Sequence, residues 1–142
     1  MDFSFTDEQQ LLQDSIRRYL ETSYALEHRA GILASEAGWS ATTWAERAEL
    51  GLLALDIDEA DGGIGAVPVG TMLVAQAIGA ALLVEPFHSS AVLATRLISA
   101  LAQGAQREQL LGALASGDVI AVFAHDEDGD WFAPRSTVAT RE

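Results

Sequence analysis

Three aspartates at alternating positions, Asp126, Asp128 and Asp130, lie in the segment FAHDEDGDW and suggest a calcium loop. An EF-hand loop begins with alternating acids, but it also needs glycine at its sixth position and glutamate at its twelfth. Here the sixth residue is Trp131 and the twelfth is Thr137. We therefore predict an acidic turn in this segment and no metal site.

Histidine and serine side chains are the next candidates for chemistry. His28, His88 and His125 have no ligand spacing on a shared helix, and the chain has no cysteine to complete a zinc site. Ser89 and Ser90 follow His88, but adjacency in sequence does not create the geometry of a nucleophile and its base. We interpret the two serines as alternative caps of a helix.

A glycine-rich segment, with Gly62, Gly63 and Gly65, lies between an apolar stretch and a helix, where such loops can bind phosphate. A dinucleotide-binding turn would need a further glycine where this chain has Pro68. The following helix also belongs to no strand, helix, strand unit. We interpret the segment as a flexible connection.

The charge of the chain excludes several classes of partner. The formal net charge is −13, from 21 acidic residues against 8 basic ones. Such a chain is repelled by nucleic acids and by anionic membrane surfaces. The N-terminus has no secretory pattern, and the absence of cysteine suits the cytoplasm. We predict a cytoplasmic protein with no nucleic-acid or membrane partner.

The uncharged segment Ala66–Val84 has nineteen residues, which is close to the length of a membrane span. It has no basic residue at either end, and Pro68, Gly70 and Gly79 interrupt it. Helices that are apolar on all sides also occur at the centre of globular domains. We therefore expect a buried central helix.

Six helices are predicted to carry these candidate residues. Thr6 and Gln9 form a capping box at the start of the first helix. Apolar periodicity, glycines and prolines delimit the other five. They are expected at about residues 25–37, from Ser40 to Leu50, from Pro68 to Glu85, from Ser89 or Ser90 to Leu101, and around Leu110 to Leu114, with Gly117 as the end of the helical part.

Beyond Asp118 the pattern changes from helix to strand. VIAVFA is a β-branched and aromatic run, and TVAT is a second possible strand. One or two strands are not stable alone. The sequence therefore predicts an all-α domain over 1–117, an up-and-down or orthogonal bundle of about six helices, followed over 118–142 by the first strand or two of an absent β domain.

Several motifs occur in this chain in an order that resembles the N-terminal helical domain of the acyl-CoA dehydrogenases. They are ASEAGWS, LGLL, EADGGIG, VEPF and GDVIAVFAHDE, and the resemblance covers essentially all 142 residues. Within the family, the chain is most similar to the small subunit of the pimeloyl-CoA dehydrogenase type. The region that begins at Asp118 is then the start of the family's middle β domain.

The resemblance implies an activity as well as a fold. These enzymes use FAD to form an α,β double bond in an acyl-CoA thioester, pass electrons to electron-transfer flavoprotein or a similar acceptor, and assemble as homo- or hetero-oligomers. The family's catalytic glutamate has no counterpart here, so no catalytic residue is expected in this chain. We expect this chain to be part of an acyl-CoA dehydrogenase. The 142 residues alone are expected to be inactive.

The resemblance also assigns site residues. Phe123, His125 and Asp126 take the family's flavin-side positions, and the helical wall of the acyl site corresponds to Leu83, Pro86 and Phe87. Asp126 replaces a threonine, and a carboxylate there would repel the flavin carbonyls and could not donate a hydrogen bond. Two alternatives therefore stay open, a flavin-free partner subunit of a heteromeric acyl-CoA dehydrogenase and a free-standing helical association module.

Overall fold

The computed structural model describes residues 4–66, 68–124 and 137–140. Within these ranges the regular structure is entirely helical, which confirms the all-α prediction. The α-helices are α1 (Asp7–Ser23), α2 (Leu26–Ala34), α3 (Ala41–Glu49), α4 (Pro68–Ala80), α5 (Thr95–Leu101) and α6 (Gly104–Ala115). Two 3₁₀ turns, Leu52–Ala54 and Glu59–Asp61, precede α4, and a π-helix, Phe87–Ala94, leads directly into α5.

The start of α1 is the predicted capping box. Thr6 Oγ1 accepts a hydrogen bond from the Gln9 backbone N–H at 3.2 Å, and Gln9 Oε1 accepts one from the Thr6 N–H at 3.0 Å. Further along the helix, Ile16 and Leu20 are buried. Because α1 packs along α4, these side chains enter the main core.

The core consists of two clusters. The larger cluster joins α1, α3, α4 and the π-helix through residues that include Leu20, Trp44, Val74 and Phe87. The smaller cluster lies beneath α6 and contains Ile57, Leu111 and Leu114, with Ala121 packed against it. The segment that follows α6 therefore contacts the helical domain at Ala121.

α4 packs into the core as expected of a central helix, but only one of its sides is buried. Leu73 and Val74 are fully buried, but Met72 is 42% exposed and Val69 is exposed beside it. The helix has no charged side chain on either face. Among the described residues, no helix has the length and apolar character needed to span a membrane.

The glycine-rich segment is closed by its own hydrogen bonds, which corrects the interpretation of a flexible connection. The Gly63 N–H donates to the Asp58 carbonyl at 3.0 Å, and the Gly65 N–H donates to the Ile57 carbonyl at 2.8 Å. Arg107 holds the same segment against α6, since its Nη2 lies 2.5 Å from Asp61 Oδ2. These amides point inward, so the loop offers no phosphate cradle.

The strands predicted at 119–124 and 137–140 are not formed, because strand hydrogen bonds need a partner strand and none is present in the described part of the chain. Residues 118–124 follow the helical surface instead. The Val119 N–H donates to the Ala113 carbonyl at 3.2 Å, at the end of α6. The division of the chain at residue 117 stays a prediction.

The packing of the glycine-rich segment predicts a sharp difference between two glycines. A Cβ on Gly63 would lie 2.1 Å from the Ile57 carbonyl oxygen, whereas one on Gly112, within α6, would meet nothing within 4 Å. Gly63→Ala should lower the free energy of unfolding by about 1–3 kcal/mol through overpacking. Gly112→Ala should raise it by roughly 0.5–1 kcal/mol, because alanine favours helix. Urea unfolding measures both, and equal effects would contradict this packing.

Candidate functional site

The three residues expected in the acyl wall lie where the chain turns from α4 into the π-helix. Leu83 and Pro86 belong to the connection 81–86, and Phe87 begins the π-helix. Phe87 is 3% exposed and belongs to the main core, and Leu83 is partly buried against that core. In this structure Phe87 therefore packs inward and supports the connection from beneath.

Glu85 anchors this connection from inside the protein. It is 4% exposed, its Oε1 accepts a hydrogen bond from the Ser40 N–H at 3.1 Å, and its Oε2 accepts one from the Tyr24 hydroxyl at 3.2 Å. The Tyr24 oxygen in turn accepts from the Val84 N–H at 3.3 Å. Hydrogen bonds of this kind offset the cost of burying a carboxylate. The turn after α4 is thereby tied to the end of α1 and the start of α3.

α4 ends earlier than the sequence suggests, at Ala80 instead of near Glu85. Leu82 adopts a left-handed backbone conformation, with φ of 54°, and is the only described residue other than glycine to do so. Such a conformation costs a non-glycine residue about 1–3 kcal/mol. The surroundings hold it, because Arg29 Nε donates to the Leu82 carbonyl at 2.8 Å and the Leu83 N–H donates to the Ile78 carbonyl at 3.2 Å.

A buried arginine supports the same corner. Arg47 is 1% exposed and its Nη1 donates to the Tyr19 hydroxyl oxygen at 2.6 Å. Its guanidinium lies 4.9 Å from the centre of the Tyr19 ring and 5.8 Å from that of Tyr24. Arginine suits this position because its planar group stacks on aromatic faces. The sequence signal for it was its place three residues after Trp44, on the core face of α3.

Burial and the neighbouring Glu85 carboxylate raise the pKa of Tyr24 above its ordinary value. Burial has the larger effect, because it disfavours the charged phenolate, and the negative charge on Glu85 acts in the same direction. The Val84 N–H opposes both, since it favours the ionised oxygen. The folded state therefore holds Tyr24 in its neutral, donating form.

We use the term α4 open face for the exposed side of α4, formed by Val69, Met72, Gln76 and Gly79. These residues recur at three and four residue steps, so they lie on one side of the helix. None of them is charged, and Gln76 Oε1 accepts a long hydrogen bond of 3.5 Å from Gln13. The result is a continuous uncharged surface that ends near the Glu85 anchor.

A groove of about 440 Å³ lies on another side of α4, between this helix and α1. Its lining includes Leu20, Tyr24, Ala77 and Leu82, but not Leu83, Pro86 or Phe87. Ala77 points about a quarter turn or more away from the α4 open face, as helical geometry requires. Ala80 also lines the groove and lies only about 20° around the helix from Val69, so the groove adjoins the α4 open face at this end of the helix.

Of the three residues expected at the flavin-side positions, the structure describes one. Phe123 is described and exposed, whereas His125 and Asp126 lie outside the described residues. Ser89 and Ser90 cap no helix, since both lie inside the π-helix, and the Ser90 hydroxyl instead contacts residue Ala121. No group of three or more potential metal ligands occurs among the residues that the structure describes.

Comparison with known proteins gives a family and a fold. The model of the acyl-CoA dehydrogenase N-terminal domain matches residues 6–118. The ChsE4-ChsE5 complex from Mycobacterium tuberculosis is similar with a TM-score of 0.81 and 24% identity, over 92% of this chain and 36% of that chain. The Tcur3481-Tcur3483 steroid ACAD variant is similar with a TM-score of 0.70 and 24% identity, over 82% of this chain and 32% of that chain.

The chain thus spans about a third of the length of these solved chains. At this identity, the likeness shows the fold alone. No curated protein sequence matches the chain.

The Glu85 anchor predicts an alkaline effect on stability. Tyr24→Phe removes the hydroxyl that donates a hydrogen bond to Glu85. It should lower the free energy of unfolding at pH 7 by about 1–3 kcal/mol. Because the pKa of Tyr24 is raised above 10.0, its contribution is complete below pH 10 and is lost as the pH rises past that value. The Tyr24→Phe variant should not show this loss of stability at high pH.

Chemical unfolding of both proteins between pH 7 and pH 11 measures the effect. The two stability curves should converge above pH 10. Parallel curves over the whole range would contradict a neutral, donating Tyr24.

Proposed function

Because the chain belongs to the acyl-CoA dehydrogenase family through its N-terminal domain, we propose that it supplies the helical wall of the acyl site in a flavin-dependent acyl-CoA dehydrogenase. The observation that carries this proposal is the α4 open face. It is an uncharged surface on a helix whose opposite side is firmly packed in the core.

The chemistry of the α4 open face suits an acyl chain. Binding of an apolar chain removes apolar surface from water, which is favourable when no polar group loses its hydrogen bonds. Val69 and Met72 present such surface, and Gly79 leaves space, since nothing lies within 4 Å of an added Cβ there. Leu83 and Pro86 extend the proposed wall along the connection that Glu85 anchors.

The described residues do not supply the chemical step. Forming an α,β double bond removes a proton from one carbon and a hydride from the next, so it needs a free base and a hydride acceptor. Glu85 is the carboxylate at this end of α4, but both of its oxygens accept internal hydrogen bonds. Its role is structural, and the proposed enzyme takes its base from elsewhere.

The described residues also fit only part of FAD. The amides of the glycine-rich loop are engaged internally, and the two arginines beside the loop pair with aspartates, Arg96 with Asp56 and Arg107 with Asp61. The loop amides and Arg107 are thus engaged within the protein, and Arg96, whose side chain is 49% exposed, is already paired with Asp56. FAD supplies hydride acceptance when bound in this family, and the contribution proposed for this chain is a surface near Phe123.

A second candidate is a flavin-free subunit that completes the pocket of a catalytic partner. Two features favour it, namely Asp126 at a position expected to hold threonine and the two-component names of the similar structures, ChsE4-ChsE5 and Tcur3481-Tcur3483. The small-subunit resemblance to the pimeloyl-CoA type agrees with such a partnership. Absorbance of the purified subunits separates the candidates, because a flavin spectrum without the partner would exclude the second.

The acyl wall predicts a specific loss of activity in the assembled enzyme. Met72→Glu places a charge on the α4 open face, and the cost of burying that charge against an acyl chain should lower kcat/KM for acyl-CoA at least about tenfold. Leu11→Glu is a matched control, since Leu11 is an exposed apolar residue on α1. Steady-state assays with purified, fully assembled variants measure both. Equal effects of the two substitutions would contradict the proposal.

A further inference from the structure

The π-helix Phe87–Ala94 joins two parts of the proposed site. A π-helix pairs residues five apart and is rare, and π segments are frequent at functional sites. Here the Thr95 N–H and the Thr95 hydroxyl both donate to the Ser90 carbonyl, the latter at 3.1 Å. Both hydrogen bonds thus close the wider π-helical turn at the Ser90 carbonyl.

Ser90 is also the point at which the chain beyond α6 attaches to this turn. Its side chain is 0% exposed, and its Oγ accepts a hydrogen bond from the Ala121 N–H at 3.2 Å. Ala121 packs against the small core cluster beneath α6. A side chain of the core therefore fixes the backbone of a segment whose neighbouring side chains, Val119 and Val122, are exposed.

The two ends of this link carry different functions in the proposed enzyme. Ser90 lies four residues after Pro86, where the proposed acyl wall ends, and Ala121 lies two residues before Phe123, the first of the flavin-side positions. The hydrogen bond between Ser90 and Ala121 therefore connects the end of the proposed acyl wall to the segment that carries Phe123. Together with the packing of Ala121 on the small core cluster, it holds residues 119–123 against the helical domain.

We propose that Ser90 is a positioning residue, whose buried hydroxyl sets the place of residues 119–123, which include Phe123, relative to the acyl wall. This role rests on the proposed function. Serine meets the requirement because it is short enough to be enclosed in the π-helix and still offers an oxygen to the Ala121 N–H. Alanine at this position would leave that N–H without its acceptor.

The test compares variants of the assembled enzyme that differ in one hydroxyl. Ser90→Ala removes the acceptor, and Ser90→Cys keeps a similar size with a weaker acceptor, which guards against a folding failure of the first. Ser89→Ala is the control, since Ser89 lies in the same π-helix but donates only to the Pro86 carbonyl. Amide hydrogen exchange of residues 119–123, flavin absorbance, and kcat and KM for acyl-CoA are measured for each.

Ser90→Ala is expected to speed exchange at Ala121 at least tenfold, shift the flavin absorbance bands and lower kcat more than it raises KM. Ser90→Cys should give smaller changes in the same direction, and Ser89→Ala should resemble the wild type. Faster exchange with unchanged absorbance, kcat and KM would overturn the positioning role, and so would unchanged exchange. A wild-type enzyme without flavin or acyl-CoA activity would overturn the proposed function itself, and with it this role.

Discussion

The buried carboxylate of Glu85 is the interaction on which the rest of this domain depends. An unpaired carboxylate inside a protein is strongly unfavourable, so the fold must bring donors to it. It does so with the Tyr24 hydroxyl from the end of α1 and the Ser40 N–H from the start of α3. Because the two donors belong to distant parts of the chain, Glu85 ties the turn after α4 to both α1 and α3.

The tied turn holds the C-terminal end of α4, while packing against α1 buries one side of the helix. The Leu82 backbone takes a left-handed conformation that leucine disfavours, and contacts from Arg29 and α4 hold it there. Arg47 fills the space beside the Tyr19 and Tyr24 rings, so the donor side of the anchor is also rigidly packed. α4 can then bury Leu73 and Val74 while its other side stays open. An uncharged surface that is exposed but rigid is what an apolar ligand needs.

Local signals in the sequence predicted local structure well. The capping box of α1 depends only on Thr6 and Gln9, and the six helices follow from periodicity and glycines. The early end of α4 was missed because a left-handed leucine is stabilised by Arg29, far along the chain. The strand at 119–124 was missed because a strand forms only with a partner. Glu85 and Ser90 were missed as anchors because their partners, Tyr24 and Ala121, are distant in sequence.

The central claim is that the α4 open face contacts the acyl group. Photolabelling of the assembled enzyme with an acyl-CoA that carries a diazirine at the far end of its acyl chain tests it most directly. Peptide mass spectrometry then locates the label. The account predicts label within α4 or the following connection, at Met72, Gly79 or Leu83, and competition by unlabelled acyl-CoA. Competed label found only outside α4 and that connection would contradict it.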